Sequence, residues 1–324
     1  MFAVPFREAG GPETLVVEEL PDPVPGPGDV LIEVTAAGLN SADILQRLGR
    51  ANLPLGASNI FGMEVSGTVI EVGVSTSGIA VGDKVVALLD SGGYATKVAA
   101  PAGQVLPLPQ NVDLMTGAGI PEVAATLVSN VCMLAGYKSG ETVLIHGASG
   151  GIGTFGIQFL KALGARVAVT ASTSKKLQHA KDLGADILIN YRKDDFAAVM
   201  EAAGGADIIL DTVAGPYLPS NIRALTTFGR IVTIGRQGGA EGTLDFASLM
   251  KKKATVSGTL LRDRPAQQKA EIMRQTQSSV WPLLESGAIR TRVDRTFPLS
   301  DVANAHAHFG SKEHIGKVLL DCRL

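Results

Sequence analysis

Cysteine is nearly missing from this chain of 324 residues: Cys132 and Cys322 are the only two, far apart in sequence. That excludes a disulfide framework and argues against a thiolate zinc site, so both thiols are expected to be inert core or near-surface groups. Aromatic residues make up only 5% of the chain, and charge of one sign is lacking: 29 Lys and Arg against 31 Asp and Glu leave a net charge of -2. Without a basic stripe interleaved with stacking rings, no nucleic-acid partner is expected. Long apolar runs are absent as well, none reaching the roughly 18 residues of a membrane span. The first residues, MFAVPFREAGG, carry Pro5, Arg7 and Glu8 where a signal peptide needs an apolar core. The expectation is a cytoplasmic protein with no membrane partner.

Hydrophobic residues, by contrast, form 45% of the chain, and glycine occurs 38 times. A chain of this length and composition is expected to fold as two domains. Up to about residue 120 it is rich in Gly, Pro and β-branched residues, with short strand candidates in VLIEVTAAG, GMEVSGTVIEVG, GDKVVALL and YATKVAA. One helix is expected at SADILQRLG, capped by Ser41. From VLIH (143–146) onward strands and helices alternate through RVAVTA, ILIN, ADIILDT and GRIVTIG. Repeated βαβ units require a parallel sheet covered on both faces, so the fold class is α/β with a doubly wound sheet. The domain expectation is residues 1–118 with 288–324 for the β-rich part and 119–287 for the doubly wound part.

VLIHGASGGIGTFG, at 143–156, runs from a strand into glycines and then into a helix. Glycine serves where a chain turns sharply, where backbone must approach a pyrophosphate, and where helix and strand pack closely. The helix start aims free N–H groups and a positive dipole end at the phosphates. Ser149, Gly150, Gly151, Ile152 and Gly153 are thus candidate dinucleotide-binding residues. An NAD site places an acid about 20 residues on, at the end of the second strand. Here that place reads TASTSKK, and no acid occurs before Asp182. Ser172 can hydrogen-bond a 2′-phosphate and Lys176 can neutralise it, which favours NADPH over NADH.

The strings AGGPETL, GLNSADILQRLG, PLGASNIFGMEVSG, IPEVAATL, HGASGGIGTFGIQFLKALGA and GTLLRDR together resemble the zinc-independent quinone oxidoreductase branch of the medium-chain dehydrogenase/reductase superfamily. The resemblance covers essentially the whole chain. It implies a GroES-like β-rich domain followed by a Rossmann-type domain, NADPH as cofactor, and a homodimer paired through the apolar strand that follows KKKATVSGTL. It places Asn40 beside the nicotinamide, Thr126 near its carboxamide and Tyr191 beside the adenosine phosphate. Gly235 and Leu260, in the IGRQGG and GTLLR segments, wrap the cofactor, and Lys317 reaches toward it. On residue chemistry alone Asn40 and Ser41 are also turn and cap residues, and Lys317 a solvated lysine. Asp43 and Arg47, four apart on one helix, suit an ion pair as well as an active-site wall.

Zinc alcohol dehydrogenases of the superfamily use a Cys, a Gly-His-Glu segment and a second Cys. Those places read Asn40-Ser41, Gly62-Met63-Glu64 and no cysteine after Gly82-Asp83. No metal is therefore expected, and His306 and His308 are expected to be ordinary surface or helix-end histidines. The implied activity is hydride transfer from NADPH to a quinone. An alternative is reduction of the C=C bond of an alkenal or enone, and one of another class is a non-catalytic NADPH-binding or RNA-associated protein. Two departures bear on the acceptor: Ala51 stands where related reductases carry a Tyr, and Ala124 where they carry a bulky aromatic.

Overall fold

The computed structural model describes residues 1–51 and 53–323. The chain divides into two compact units, one of Met1–Ala125, Leu261–Gly287 and Thr291–Leu324, the other of Thr126–Leu260 and Ala288–Arg290.

The first unit is organised around the strand Asp29–Gly38, whose Val30, Ile32 and Val34 alternate into the core. It pairs antiparallel with Glu64–Val72, while its other edge is shared by Lys97–Pro101 against Asp29–Glu33 and Lys317–Asp321 against Ala36–Gly38. The sheet runs Val293–Pro298, Lys317–Asp321, Asp29–Gly38, Glu64–Val72, Lys84–Leu88, Val105–Pro107. Its core contains Val4, Phe61, Val65, Tyr94, Val318 and Leu320. Sharing one edge brings the chain's last strand beside its early ones, and so places Lys317 near residues 39, 40 and 64.

This unit also takes in Leu261–Gly287, which the sequence expectation assigns to the doubly wound domain. The reason lies in the helix Ala266–Glu285. It buries Lys269, Ile272, Met273, Thr276, Val280, Trp281 and Leu284 along one face. Its polar anchors lie in the β-rich unit: Trp281 Nε1 donates to Pro107 O at 2.8 Å, and the buried Lys269 pairs with Asp90. Periodicity tells that a helix face is covered, not by what.

The second unit is a six-stranded sheet in the order Ile187–Asn190, Arg166–Ala171, Thr142–His146, Ala206–Asp211, Leu225–Thr233, Thr255–Gly258, parallel throughout. Val143, Leu144 and Ile145 are fully buried, as are Val167, Ala168, Val169 and Ile208, Ile209, Leu210. Such unbroken apolar runs belong to strands covered on both faces. Strand order reverses between Thr142–His146 and Ala206–Asp211, the switch point where open α/β sheets bind ligands. The edge strand is Thr255–Gly258, inside KKKATVSGTL rather than after it. Arg230 forks onto Glu141 at 2.9 and 2.8 Å, which ties the fifth strand to the loop entering the third. Among the described residues no helix is long and apolar enough to cross a membrane.

Removing the indole donor leaves the Pro107 carbonyl unpaired. Trp281→Phe should lower the unfolding free energy by about 1–2 kcal/mol, read by urea titration, with the far-UV circular dichroism unchanged.

Candidate functional site

In the second unit the strand Thr142–His146 ends at Gly147, whose φ of +93° turns the chain sharply. Gly150 caps the helix Gly151–Ala162 in extended conformation, and Thr154 N–H is the donor that bonds back to Gly150 O, at 2.9 Å. The first-turn N–H groups before it have no intrahelical acceptor. The glycines differ in purpose. A methyl at Gly153 would collide with the Gly147 and Ala148 backbone, whereas one at Gly150 would meet nothing within 4 Å and enter the open space of the cradle.

The other sequence candidates of this unit lie along the same C-terminal edge of the sheet. Ser172 follows Arg166–Ala171, and Tyr191, 43% exposed, follows Ile187–Asn190. Thr173 caps the next helix and accepts from Lys176 N, which puts Lys176 in its first turn. Gly235 follows Leu225–Thr233, where a Cβ would come within 2.9 Å of Thr212 O, and the exposed Leu260 follows Thr255–Gly258. Thr126 is buried, its carbonyl accepting from Asn130 Nδ2 at 2.8 Å where the helix continues as a π-helical turn, Val128–Leu134.

Behind the cradle runs a polar chain that sequence reasoning missed. His146 Nε2 meets Asn221 Oδ1 at 2.8 Å, Asn221 Nδ2 donates to Asp211 Oδ2 at 3.0 Å, and His146 Nδ1 meets Thr170 Oγ1 at 3.2 Å. The carboxylate can only accept, so the amide must turn its oxygen to the imidazole, and the proton sits on Nε2. Asp211 Oδ1 in turn accepts from the N–H groups of Val213 and Ala214. Burial holds the His146 pKa below its usual value, which keeps the ring neutral in this chain. The loops after two adjacent strands are thereby fixed to each other.

In the first unit the sequence candidates Asn40, Asp43 and Lys317 converge. Lys317 is 3% exposed, and its Nζ donates to Leu39 O at 3.0 Å, Asn40 Oδ1 at 2.9 Å and Glu64 Oε1 at 2.5 Å. It is no solvated lysine. Asn40 Nδ2 donates to the same Glu64 oxygen at 2.9 Å, and Glu64 Oε2 accepts from Glu122 N–H at 2.9 Å. Asn40, not Ser41, caps the helix Ser41–Arg47, its N–H donating to Asp43 Oδ2 at 2.8 Å. Asp43 Oδ2 also accepts from Tyr94 OH at 3.1 Å. The Asp43–Arg47 ion pair expected as one option does not form: the core tyrosine and the cap hold Oδ2, while Asp43 Oδ1 and Arg47 Nε and Nη1 are each buried without a hydrogen-bond partner.

Burial raises the Asp43 pKa to about 6, against the pull of Arg262, and raises that of Glu122 to about 7 with help from the Glu64 carboxylate. Glu122 escaped the sequence reading; its one signal there is an acid opening the apolar helix Pro121–Leu127. His306 is fully buried against Phe61 and Tyr94, contrary to the expected surface histidine, and burial and Arg47 hold its pKa down to about 3. Ala124 is fully buried and Ala51 half-buried.

The donor set does not suit zinc. Met63, at the place of a ligand histidine, accepts on its sulfur from Arg262 Nε at 3.0 Å, and the adjacent Glu64 is taken by an ammonium. Among the described residues no group of three or more His, Cys, Asp or Glu is placed to hold a metal ion.

Lys317→Met leaves the buried Glu64 without its ammonium partner, held only by hydrogen bonds from Asn40 and the Glu122 N–H, so it should cost about 3–5 kcal/mol in chemical denaturation. The two raised carboxyls titrate with a definite sign. Their native forms hold protons that the unfolded chain has already released, so their contribution to stability is present below about pH 4 and lost as pH rises toward 6 and 7. The wild type minus an Asp43→Asn/Glu122→Gln double variant, followed by thermal melting from pH 4 to 8, should show that loss.

The chain matches two described families: Alcohol dehydrogenase GroES-like domain over residues 26–110, and Zinc-binding dehydrogenase over residues 151–277. It is 31% identical to a 2-haloacrylate reductase of a Burkholderia species over 99% of this chain and 98% of that one. It is 30% identical to quinone oxidoreductase of Sus scrofa over 99% and 97%. A Mycobacterium tuberculosis mycocerosic acid synthase-like polyketide synthase is 30% identical over 98% of this chain, which spans 15% of that relative's length. Among solved structures, Escherichia coli quinone oxidoreductase complexed with NADPH superposes with a TM-score of 0.89 at 27% identity, covering 99% of this chain and 100% of that one. With this agreement in sequence, fold and missing metal ligands, the chain belongs to the zinc-independent quinone oxidoreductase branch of the medium-chain dehydrogenase/reductase superfamily.

Proposed function

We propose that the protein is an NADPH-dependent oxidoreductase that reduces a quinone without a metal. The observation that carries this reading is the cradle: an open glycine turn at a helix start, with Ser172 and Lys176 and no acid at the end of the neighbouring strand. Bound NADPH supplies the hydride. Backbone N–H groups at Gly150, Gly151, Ile152 and Gly153, flanked by Ser149, hold the pyrophosphate, and Ser172 and Lys176 hold the 2′-phosphate. Tyr191, Gly235 and Leu260 flank the adenosine and wrap the cofactor, and Thr126 and Asn40 orient the nicotinamide. Asn40 is suited to this because Lys317 and Glu64 lock its side chain. Asp43 holds the cap of the helix that carries Arg47. With no nucleophile invoked, positioning and hydrogen-bond donors to the developing oxyanion supply the catalysis.

A second reading, reduction of a conjugated C=C bond, is favoured by the likeness to a 2-haloacrylate reductase and by the small side chains at Ala51 and Ala124. The compartment proposed is the cytoplasm. A homodimer is proposed through the edge strand Thr255–Gly258, which leaves Val256 exposed.

The decisive test is oxidation of NADPH and NADH at 340 nm with 1,4-benzoquinone, with and without a chelator. Chelator-resistant turnover preferring NADPH is expected; turnover that a chelator abolishes, or NADPH binding without any turnover, defeats the reading. Gly150→Ala should keep the melting temperature yet weaken NADPH binding about tenfold or more, roughly 1.4 kcal/mol, whereas Gly153→Ala should destabilise the fold itself. Lys176→Ala should shrink the preference for NADPH over NADH. Light scattering should give a dimer of the 33.5 kDa chain, and Val256→Lys a monomer.

A further inference from the structure

Arg262 is a half-buried guanidinium that forms no ion pair among the described residues. Its Nε donates to Met63 Sδ at 3.0 Å and its Nη1 to Gln46 Oε1 at 3.1 Å, while Nη2 is buried with no partner. Gln46, 3% exposed, has the same imbalance: its oxygen is used and its Nε2 is buried and unpaired. The nearest acid does not complete it: Asp43 Oδ2 serves the Asn40 N–H and Tyr94 OH, Asp43 Oδ1 is buried without a hydrogen-bond partner, and Asp43 acts on Arg262 through its charge and not through an ion pair. A guanidinium keeps its charge in a protein interior, and an unpaired one costs several kcal/mol unless an anion completes it. Two unsatisfied N–H donors, on side chains already joined to each other, describe the receiving half of a carboxylate site.

We propose that Arg262 and Gln46 seat a carboxylate carried by the acceptor, so that the enzyme's substrates are conjugated acids. The proposal rests on the reductase reading above and narrows its substrate class. Gln46 lies six residues beyond Asn40 on one helix, about 9 Å along the axis, a span that a small conjugated acid and its reacting carbon can bridge. The pairing also answers a chemical need. A free carboxylate feeds electrons into an attached C=C or quinone ring and makes it a poor hydride acceptor; a guanidinium clamped on it withdraws that density. The acceptor then takes a hydride at one end of its conjugated system and a solvent proton at the other, with NADP+ as the only other product. No covalent bond to the chain forms.

The test pairs each acid with its neutral partner: acrylate with methyl acrylate, and carboxy-1,4-benzoquinone with 1,4-benzoquinone. The acid should have the higher kcat/KM in at least one pair, and which pair responds tells an alkenoate from a quinone acid. Arg262→Gln should lower kcat/KM for that acid about 100-fold and for the neutral partner less than about threefold, while Arg262→Lys recovers part of the loss. If Arg262→Gln does not fold, Gln46→Met serves, with a smaller loss confined to the acid. Independently of turnover, calorimetry of the NADP+-loaded protein should detect a saturated acid, cyclohexanecarboxylate, and lose it in Arg262→Gln. Turnover of neutral acceptors with no advantage for the acids and no carboxylate binding would overturn the carboxylate seat and leave the reductase standing. Arg262-dependent carboxylate binding with no turnover of any acceptor would overturn the reductase reading instead.

Discussion

The buried ammonium of Lys317 is the contact on which the first unit turns. It comes from the last strand, and its partners come from the ends of two strands laid down near the start of the chain: Leu39 and Asn40 after Asp29–Gly38, and Glu64 opening Glu64–Val72. Those three strands are neighbours in the sheet, so one cation closes their ends together. A buried pair of this kind contributes little net stability against an apolar replacement, because desolvation offsets most of the attraction. What it gives is specificity of position. Both oxygens of Glu64 are engaged, and Asn40 is held on its oxygen and its nitrogen at once. An amide fixed in this way presents one orientation.

The second unit reaches the same end without a buried charge pair. Its rigidity at the cradle comes from backbone geometry, in the left-handed Gly147 and the close approach at Gly153, and from the directed chain of Thr170, His146, Asn221 and Asp211. That chain admits one assignment of donors and acceptors, and it links three neighbouring parallel strands, Arg166–Ala171, Thr142–His146 and Ala206–Asp211. The two units thus solve the problem of holding polar groups still by different means, antiparallel strand ends tied by an ion pair and parallel strand ends tied by neutral hydrogen bonds.

What the sequence disclosed follows from the range of the interactions. The glycine turn, the βαβ alternation and the missing acid before Asp182 are local patterns, and the structure repeats them element by element. The convergence of Lys317 on Glu64 spans 253 residues. No periodicity encodes it, and only the family resemblance drew attention to Lys317. Local rules also mislead where tertiary contacts compete. Spacing allowed an Asp43–Arg47 pair, but Tyr94, distant in sequence, bonds one oxygen of the carboxylate instead; Ser41 looks like a cap, but Asn40 does that work while its side chain also bonds Lys317 and Glu64. His306 and Lys269 are polar residues buried by elements that the sequence could not place against them.

These competitions leave an uneven charge ledger in the first unit. Lys317 has a dedicated counter-ion, whereas Arg262 and Arg47 are guanidiniums without one among the described residues. The acids that would balance them are instead held toward their neutral forms, Asp43 near 6 and Glu122 near 7, chiefly by burial. A structure optimised only for stability would pair these groups or replace them with apolar ones. Keeping cations unpaired beside acids that resist ionising makes the region receptive to a negative charge from outside. The same physical choice then accounts for the raised carboxyls and the orphaned donors.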